Sequence, residues 1–220
     1  MEPLEEIKAR VERAIPGAAV AIVPNPGPGN QPSLLLDHAH ACAVTRFLRD
    51  DPALRLDYCS NVTGVDWLDR TVKKKVKVKQ LVEGEEREVE ETQEEFLPGY
   101  LEAVYHLYSM AHKHGPVVVR LRTRDRAEHA PLPSLTPVWR SAEFQEREIY
   151  DLYGIHFEGH PDLRRILMWD EFTDFPMRKD YREPDDYEYE PTPHDDVLEK
   201  AKQHYAPRPT LDGAEDISAQ

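Results

Sequence analysis

The feature that most limits how this chain can fold is the place where its aliphatic residues stop. From Asp170 to Gln220 the sequence is rich in Pro, Asp, Glu and Tyr and poor in Leu, Ile and Val, so it cannot bury enough apolar surface to offset the entropy of ordering a second core. A chain of 220 residues therefore reads as one core over residues 1–169 and an extended C-terminal arm over residues 170–220. Nineteen prolines against ten glycines fit ordered loops and arms. The tyrosines of the arm, Tyr181, Tyr187, Tyr189 and Tyr205, bury well at interfaces. The arm is thus expected to lie on a partner and to lose its ordering entropy at assembly.

Charge narrows the partners. A formal net charge of −14 opposes both nucleic acid and anionic lipid, each of which needs a basic face. No apolar run approaches the ~20 residues that cross a bilayer, and residues Met1 to Arg10 lack a signal-peptide core. The expected location is where the chain is made, with any membrane association indirect. Cys42 and Cys59 have no second cysteine two to four residues away, so they fit neither a disulfide framework nor a cluster motif and read as small buried hydrophobes.

Hydrophobic spacing gives the elements. Leu4, Ile7, Val11 and Ala14 recur at helical period and Pro16-Gly17 ends that helix. Ala18 to Val23 and Leu34 to Leu36 read as strands around a Pro/Gly loop. Asp37 is placed to cap a second helix carrying Ala41, Val44 and Leu48 on one face, ending near Asp50-Asp51-Pro52. Leu54, Leu56 and Tyr58 alternate as a strand. Tyr100 to Met110 suits either helix or strand. Beside the plain strand Val117 to Leu121, an antiparallel hairpin turning near Gly115-Pro116 is the better reading. Ala142 to Tyr153 has helical spacing, and Gly154 follows as a left-handed cap.

Residues 71–95 place lysines 73, 74, 75, 77 and 79 before a run of glutamates around Gly84. A turn at Glu83-Gly84 would make facing residues' numbers sum to 167, setting Lys79 opposite Glu88, Lys77 opposite Glu90, Lys73 opposite Glu94 and Val78 opposite Val89. Opposite-charge and apolar cross-strand pairs then match in one register. A charged hairpin insertion is the expectation, against a solvated charge run.

Signals for chemistry are sparse. Gly27-Pro28-Gly29 lacks the third glycine and the following helix of a dinucleotide loop. No Walker lysine motif, nucleophile elbow or His-Glu-x-x-His helix occurs. His38 with His40 and His112 with His114 have i, i+2 spacing, which points apart on a helix and chelates poorly. A free-standing hydrolase using Glu146, Glu148 and His160 has no nucleophile motif to support it.

The informative stretch runs from Glu146 to Leu167: Glu146-Arg147-Glu148-Ile149-Tyr150-Asp151-Leu152-Tyr153-Gly154, then His160, Arg164 and Arg165. Charge spacing alone would allow a salt-bridged helix surface. In length and spacing, however, this stretch resembles the signature of the 30 kDa-subunit family, the C subunits of bacterial NADH:quinone oxidoreductase (respiratory complex I, NDH-1). Asp57 to Trp67, Val104-Tyr105-His106-Leu107 and Phe175-Pro176-Met177-Arg178-Lys179-Asp180-Tyr181 resemble the same family, and residues 71–95 lie outside the likeness. The resemblance implies an α+β fold, a small mixed sheet packed with helices, with an extension draped over neighbouring subunits. It implies a structural subunit of the hydrophilic arm, peripheral on the cytoplasmic side of the inner membrane. Partners would be the quinone-site (49 kDa-type) and Fe–S subunits, with FMN and Fe–S clusters on those partners and none here. Ending at Gln220, the chain is expected not to be fused to the quinone-site subunit. A homologous subunit of a membrane-bound hydrogenase or of another quinone reductase shares the motifs and remains the alternative. Signature and interface residues carried over are Glu146, Arg147, Glu148, Asp151, His160, Arg164, Arg165, Arg178, Lys179 and Asp180. Guanidinium groups bind carboxylates in a two-pronged geometry that lysine cannot copy, so Arg147, Arg164 and Arg165 are expected to form a scaffold with Glu146, Glu148 and Asp151.

With isolated cysteines and no phosphate loop, purified protein should contain neither iron nor flavin at stoichiometric level. Metal analysis and the visible absorbance spectrum of fresh, folded protein check this.

Overall fold

The computed structural model describes residues 2–25, 27–82 and 85–182, with 74–82 and 85–93 described by backbone alone. The arm from Glu183 onward lies outside these residues.

Among the described residues three helices and nine strands follow in the order α1 (Leu4–Ala14), β1 (Val20–Val23), β2 (Ser33–Leu36), α2 (Ala41–Asp50), β3 (Tyr58–Trp67), β4 (Arg70–Val82), β5 (Glu85–Leu97), β6 (Tyr100–Ser109), β7 (His114–Arg122), β8 (Ala130–Pro133), α3 (Glu143–Tyr153) and β9 (Ile155–Glu158), with a 3₁₀ turn at Arg140–Ala142. The fold is α+β. A five-stranded sheet has the order β1-β2-β7-β6-β3 and is mixed, since β2 pairs parallel with β7 while the other neighbours are antiparallel. Alternation along the strands turns Leu34, Leu36, Leu101, Ala103, Tyr105, Leu107, Val117, Val119 and Leu121 into one core with Ile7 and Val11 of α1 and Val44 and Leu48 of α2.

Several boundaries fall away from where local pattern puts them. Leu54 and Leu56 are buried but belong to an irregular segment, and β3 begins only at Tyr58. Two alternating leucines satisfied the strand pattern because tertiary packing buries both regardless of backbone state. The β6–β7 turn spans residues 110–113, and Gly115-Pro116 lies inside β7. α2 starts at Ala41, and Asp37 instead accepts hydrogen bonds from the N–H of His40 (2.8 Å) and of Ala19 (2.7 Å). It thereby ties β1 to the approach of α2. The short parallel pair β8–β9 has no signature of its own in the sequence.

The charged segment pairs as β4–β5, with Lys79 opposite Glu88, Lys77 opposite Glu90, Val78 opposite Val89 and Lys73 opposite Glu94. The β3–β6 pair obeys the same sum of 167, from Asn61 opposite His106 to Trp67 opposite Tyr100. The insertion is thus a continuation of the β3–β6 ribbon in unbroken register, interrupted only at residues 68–69 and 98–99. Lys73 Nζ lies 3.2 Å from Glu94 Oε1 with both side chains largely exposed, a pair that adds little by itself.

The compact unit runs to Tyr181, so the strap of residues 170–181 packs with it. Two aromatics explain why. Phe172 and Phe175 are buried, and Phe175 lies so close to Gly154 that a Cβ there would come within 2.6 Å of its ring. Gly154 also has φ +74°, so the helix cap and the seat for Phe175 both require glycine. Aliphatic content underestimates a strap that is held by aromatic rings and backbone bonds. Phe175→Ala should lower the unfolding free energy by about 3–5 kcal/mol, measured by urea denaturation.

Candidate functional site

The buried charges gather around α3, whose faces are set by its period. Glu146 and Ile149 turn toward the sheet. Phe144, Arg147 and Asp151 fall at i, i+3 and i+7 on another stripe, and Glu148 points outward and is exposed.

Glu146 is fully buried and accepts four hydrogen bonds. Oε1 takes the Tyr105 hydroxyl (3.0 Å) and the Leu135 N–H (2.8 Å), and Oε2 takes the hydroxyls of Ser134 (2.5 Å) and Thr136 (3.0 Å). Burial pushes its carboxyl above the ordinary value, and the four donors oppose that shift. Burial, and then Glu146, raise the Tyr105 hydroxyl well above its usual value, so Tyr105 remains a donor. The group joins α3 to β6 and to the loop after β8, and no arginine takes part.

Asp151 is also fully buried and is bonded differently. Its Oδ2 accepts three successive backbone N–H groups, Ile166 (3.0 Å), Leu167 (2.7 Å) and Met168 (2.9 Å), while Oδ1 meets Arg165 Nη1 at 2.6 Å. Burial by itself would raise this carboxyl. The three N–H groups and Arg165 outweigh it and hold Asp151 below the ordinary range. Arg147, buried beside it, donates to the carbonyls of Arg164 and Arg165, both at 3.2 Å. One loop, residues 164–168, is therefore gripped by its carbonyls and by its amides.

The expected scaffold is realised in part. Arg165 pairs with Asp151 as anticipated. Arg147 instead approaches Asp162 at 3.7 Å, and Arg164 is exposed and also pairs with Asp162, at 3.1 Å. Glu148 has no ion pair among the described residues, and Glu146 is held by neutral donors. The correction has a geometric reason: i, i+4 spacing identifies helix neighbours, but the loop that supplies the partners has no period to read. His160 accepts from the Asp162 N–H on Nδ1 (3.1 Å) and sits 3.0 Å from the Glu143 carbonyl through Nε2. The two contacts together assign the proton to Nε2 and the ring to a structural bridge.

Arg178, Lys179 and Asp180 lie on the strap. Arg178 donates to the carbonyls of Tyr153 (2.7 Å), Arg126 (2.9 Å) and Ala127 (3.2 Å). The Lys179 N–H reaches Asp66 Oδ2 at 2.8 Å. Asp180 takes two bonds from Arg126, which is also two-pronged on buried Asp66 at 2.7 and 2.8 Å. Sequence reasoning missed Arg126 and Asp66. It also missed Glu102, a fully buried carboxylate on β6 bound by Arg120, Arg122 and the Trp67 indole N–H. Glu102 breaks the apolar run of its strand, the one local signal that could have flagged it.

As for cofactors, the Cys42 thiol points to the Ser134 carbonyl at 3.6 Å and that of Cys59 to the Asn61 carbonyl at 3.8 Å. Burial pushes the Cys59 thiol up to about 12, the opposite of what a thiolate ligand needs. Among the described residues no group of three or more His, Cys, Asp or Glu could hold a metal ion.

Comparison with known proteins places this arrangement. The family of the respiratory-chain NADH dehydrogenase, 30 Kd subunit, matches residues 34–187, from β2 through α3 and the strap. The chain belongs to this family. Among its relatives, the second NADH-quinone oxidoreductase C subunit of Rhizobium meliloti (strain 1021) is 40% identical over 137 residues, covering 62% of this chain and 58% of that protein. The NADH-quinone oxidoreductase C subunit of Salinispora arenicola (strain CNS-205) is 34% identical over 177 residues, covering 80% and 60%. The chain thus matches less than two thirds of the length of these relatives. The solved structure of the membrane-bound sulfane sulfur reductase, an archaeal respiratory membrane complex, shares the fold at TM-score 0.52 and 19% identity over 98% of each chain.

Asp151→Asn keeps the shape and removes the buried charge, leaving half-buried Arg165 without its carboxylate. It should cost about 2–4 kcal/mol at neutral pH, less than a fully buried pair because Arg165 is partly exposed. A carboxyl whose folded pKa is depressed stabilises the fold above its unfolded value and loses that contribution as pH falls through the folded value. The gap between variant and parent should therefore shrink below about pH 4. Urea unfolding at pH 7 and pH 3 measures both.

Proposed function

We propose that this chain is a structural and assembly subunit of the hydrophilic arm of a proton-translocating NADH:quinone oxidoreductase, in which electrons pass from NADH through FMN and Fe–S clusters on other subunits to quinone. Family membership supports the setting. The observation that carries the structural role is the use made of the buried and half-buried ions. Arg147, Asp151 and Arg178 direct their hydrogen bonds largely at backbone carbonyls and amides of their own chain, so they act to fix its shape. The chain would carry no flavin or cluster itself. Its partners would be the quinone-site and Fe–S subunits, and its place peripheral, on the cytoplasmic side of the inner membrane. No helix among the described residues is long and apolar enough to cross a membrane, which is compatible with attachment through partners.

Arg165→Lys tests the role. Arg165 Nη1 holds both the carboxylate and the carbonyl of Asp151, and its guanidinium lies 5.4 Å from the Phe172 ring centroid and 5.6 Å from that of Phe175. An ammonium group cannot reproduce that plane. The variant should reduce the amount of assembled complex while NADH:quinone turnover per assembled complex stays unchanged. Normal assembly with lost turnover would make the site catalytic.

A further inference from the structure

The loop that the signature ions hold has little to do with the core it is tied to. Ile166 is 39% exposed, Leu167 58% and Trp169 49%. Three of the ten large hydrophobics that the described residues leave exposed fall within this one short loop. Buried Asp151 and Arg147 nonetheless fix the loop's backbone through three amides and two carbonyls, so the ordering entropy of the loop is lost during folding, before any encounter. At the rim stands Arg164, 68% exposed by side chain, bonded to Asp162 through Nε alone. A guanidinium's terminal nitrogens form the fork that takes a carboxylate with two parallel bonds.

We propose that the Ile166–Leu167–Trp169 face, with Arg164 at its rim, is a preorganised docking surface for a different protein chain. That chain presents an apolar patch flanked by an Asp or Glu carboxylate. The surface, rather than the buried signature residues, makes the contact, and the signature residues act through it as positioning residues. A second copy is the poorer occupant, because two chains of net charge −14 repel and a two-fold contact would bring like surfaces together. The inference rests on the reading of this chain as a subunit of a larger assembly.

The test expresses the full tagged chain with the other NADH:quinone oxidoreductase subunits of its own organism, in a host lacking the native copy. It quantifies co-purified subunits for Leu167→Asp, Arg164→Glu and the distant control Met110→Asp, whose side chain is exposed on the β6–β7 turn. Leu167→Asp should reduce co-purification at least tenfold and Arg164→Glu several-fold, while both isolated chains melt within about 2 °C of the parent and the control assembles normally. Normal assembly of both variants would overturn the surface and leave the subunit reading standing. A parent chain that brings down none of these subunits would overturn both. A dimer of the isolated parent that Leu167→Asp disperses would overturn it in favour of self-association.

Discussion

The domain depends on a carboxylate buried without a counter-ion. Glu146 could be lodged against the sheet only if water were replaced on both of its oxygens, and it is replaced by one tyrosine, one serine, one threonine and one backbone N–H. Each donor comes from a position that must already be in place: β6 for Tyr105, and the turn after β8 for the other three. A missing donor would leave a charged group partly unsatisfied at a cost of a few kcal/mol. The bond set therefore fixes where α3 crosses the sheet, and the close seat of Tyr153 over Gly64, where a Cβ would come within 2.5 Å of the ring, admits the helix only at that height.

Once α3 is fixed, its second stripe decides the path of the chain beyond the helix. Asp151 lies five residues after Glu146 and so faces elsewhere, toward residues 164–168, and the strap that ends at Tyr181 closes over the helix C-terminus. The two carboxylates illustrate two solutions to burial. Glu146 relies on neutral donors and has a raised pKa, whereas Asp151 collects three amides and a guanidinium and has a lowered one. Only the second is coupled to a cation, and only the second organises a surface.

The β4–β5 ribbon follows a different logic. It adds no layer to the core, yet its register is inherited from β3 and β6 across two short interruptions. An isolated two-stranded ribbon is marginal in water. Growth from an already paired sheet supplies the first ladder bonds and lets weak cross-strand pairs extend it.

By itself the sequence determined the elements whose physics is local: α1 and α3 with the Gly154 cap, the β6 and β7 strands, and the 167 register of the insertion. Helical period, a left-handed glycine and matched cross-strand charges all act within a few residues or across a single turn. Family membership was legible too, because spacing along α3 and into His160 and Arg164 survives in the sequence even where its purpose is hidden. Tertiary structure alone decided which ions meet. Arg165 finds Asp151, Arg126 finds both Asp66 and Asp180, Glu102 finds two arginines, and Glu146 finds none. The Arg165 and Arg126 pairings join residues 14 to 60 positions apart through irregular loops, and a loop has no period from which its partners could be read. The strap up to Tyr181 escapes the sequence for the same reason: it is held by backbone hydrogen bonds and two buried rings, and hydrogen bonds to backbone are made by nearly every residue type alike.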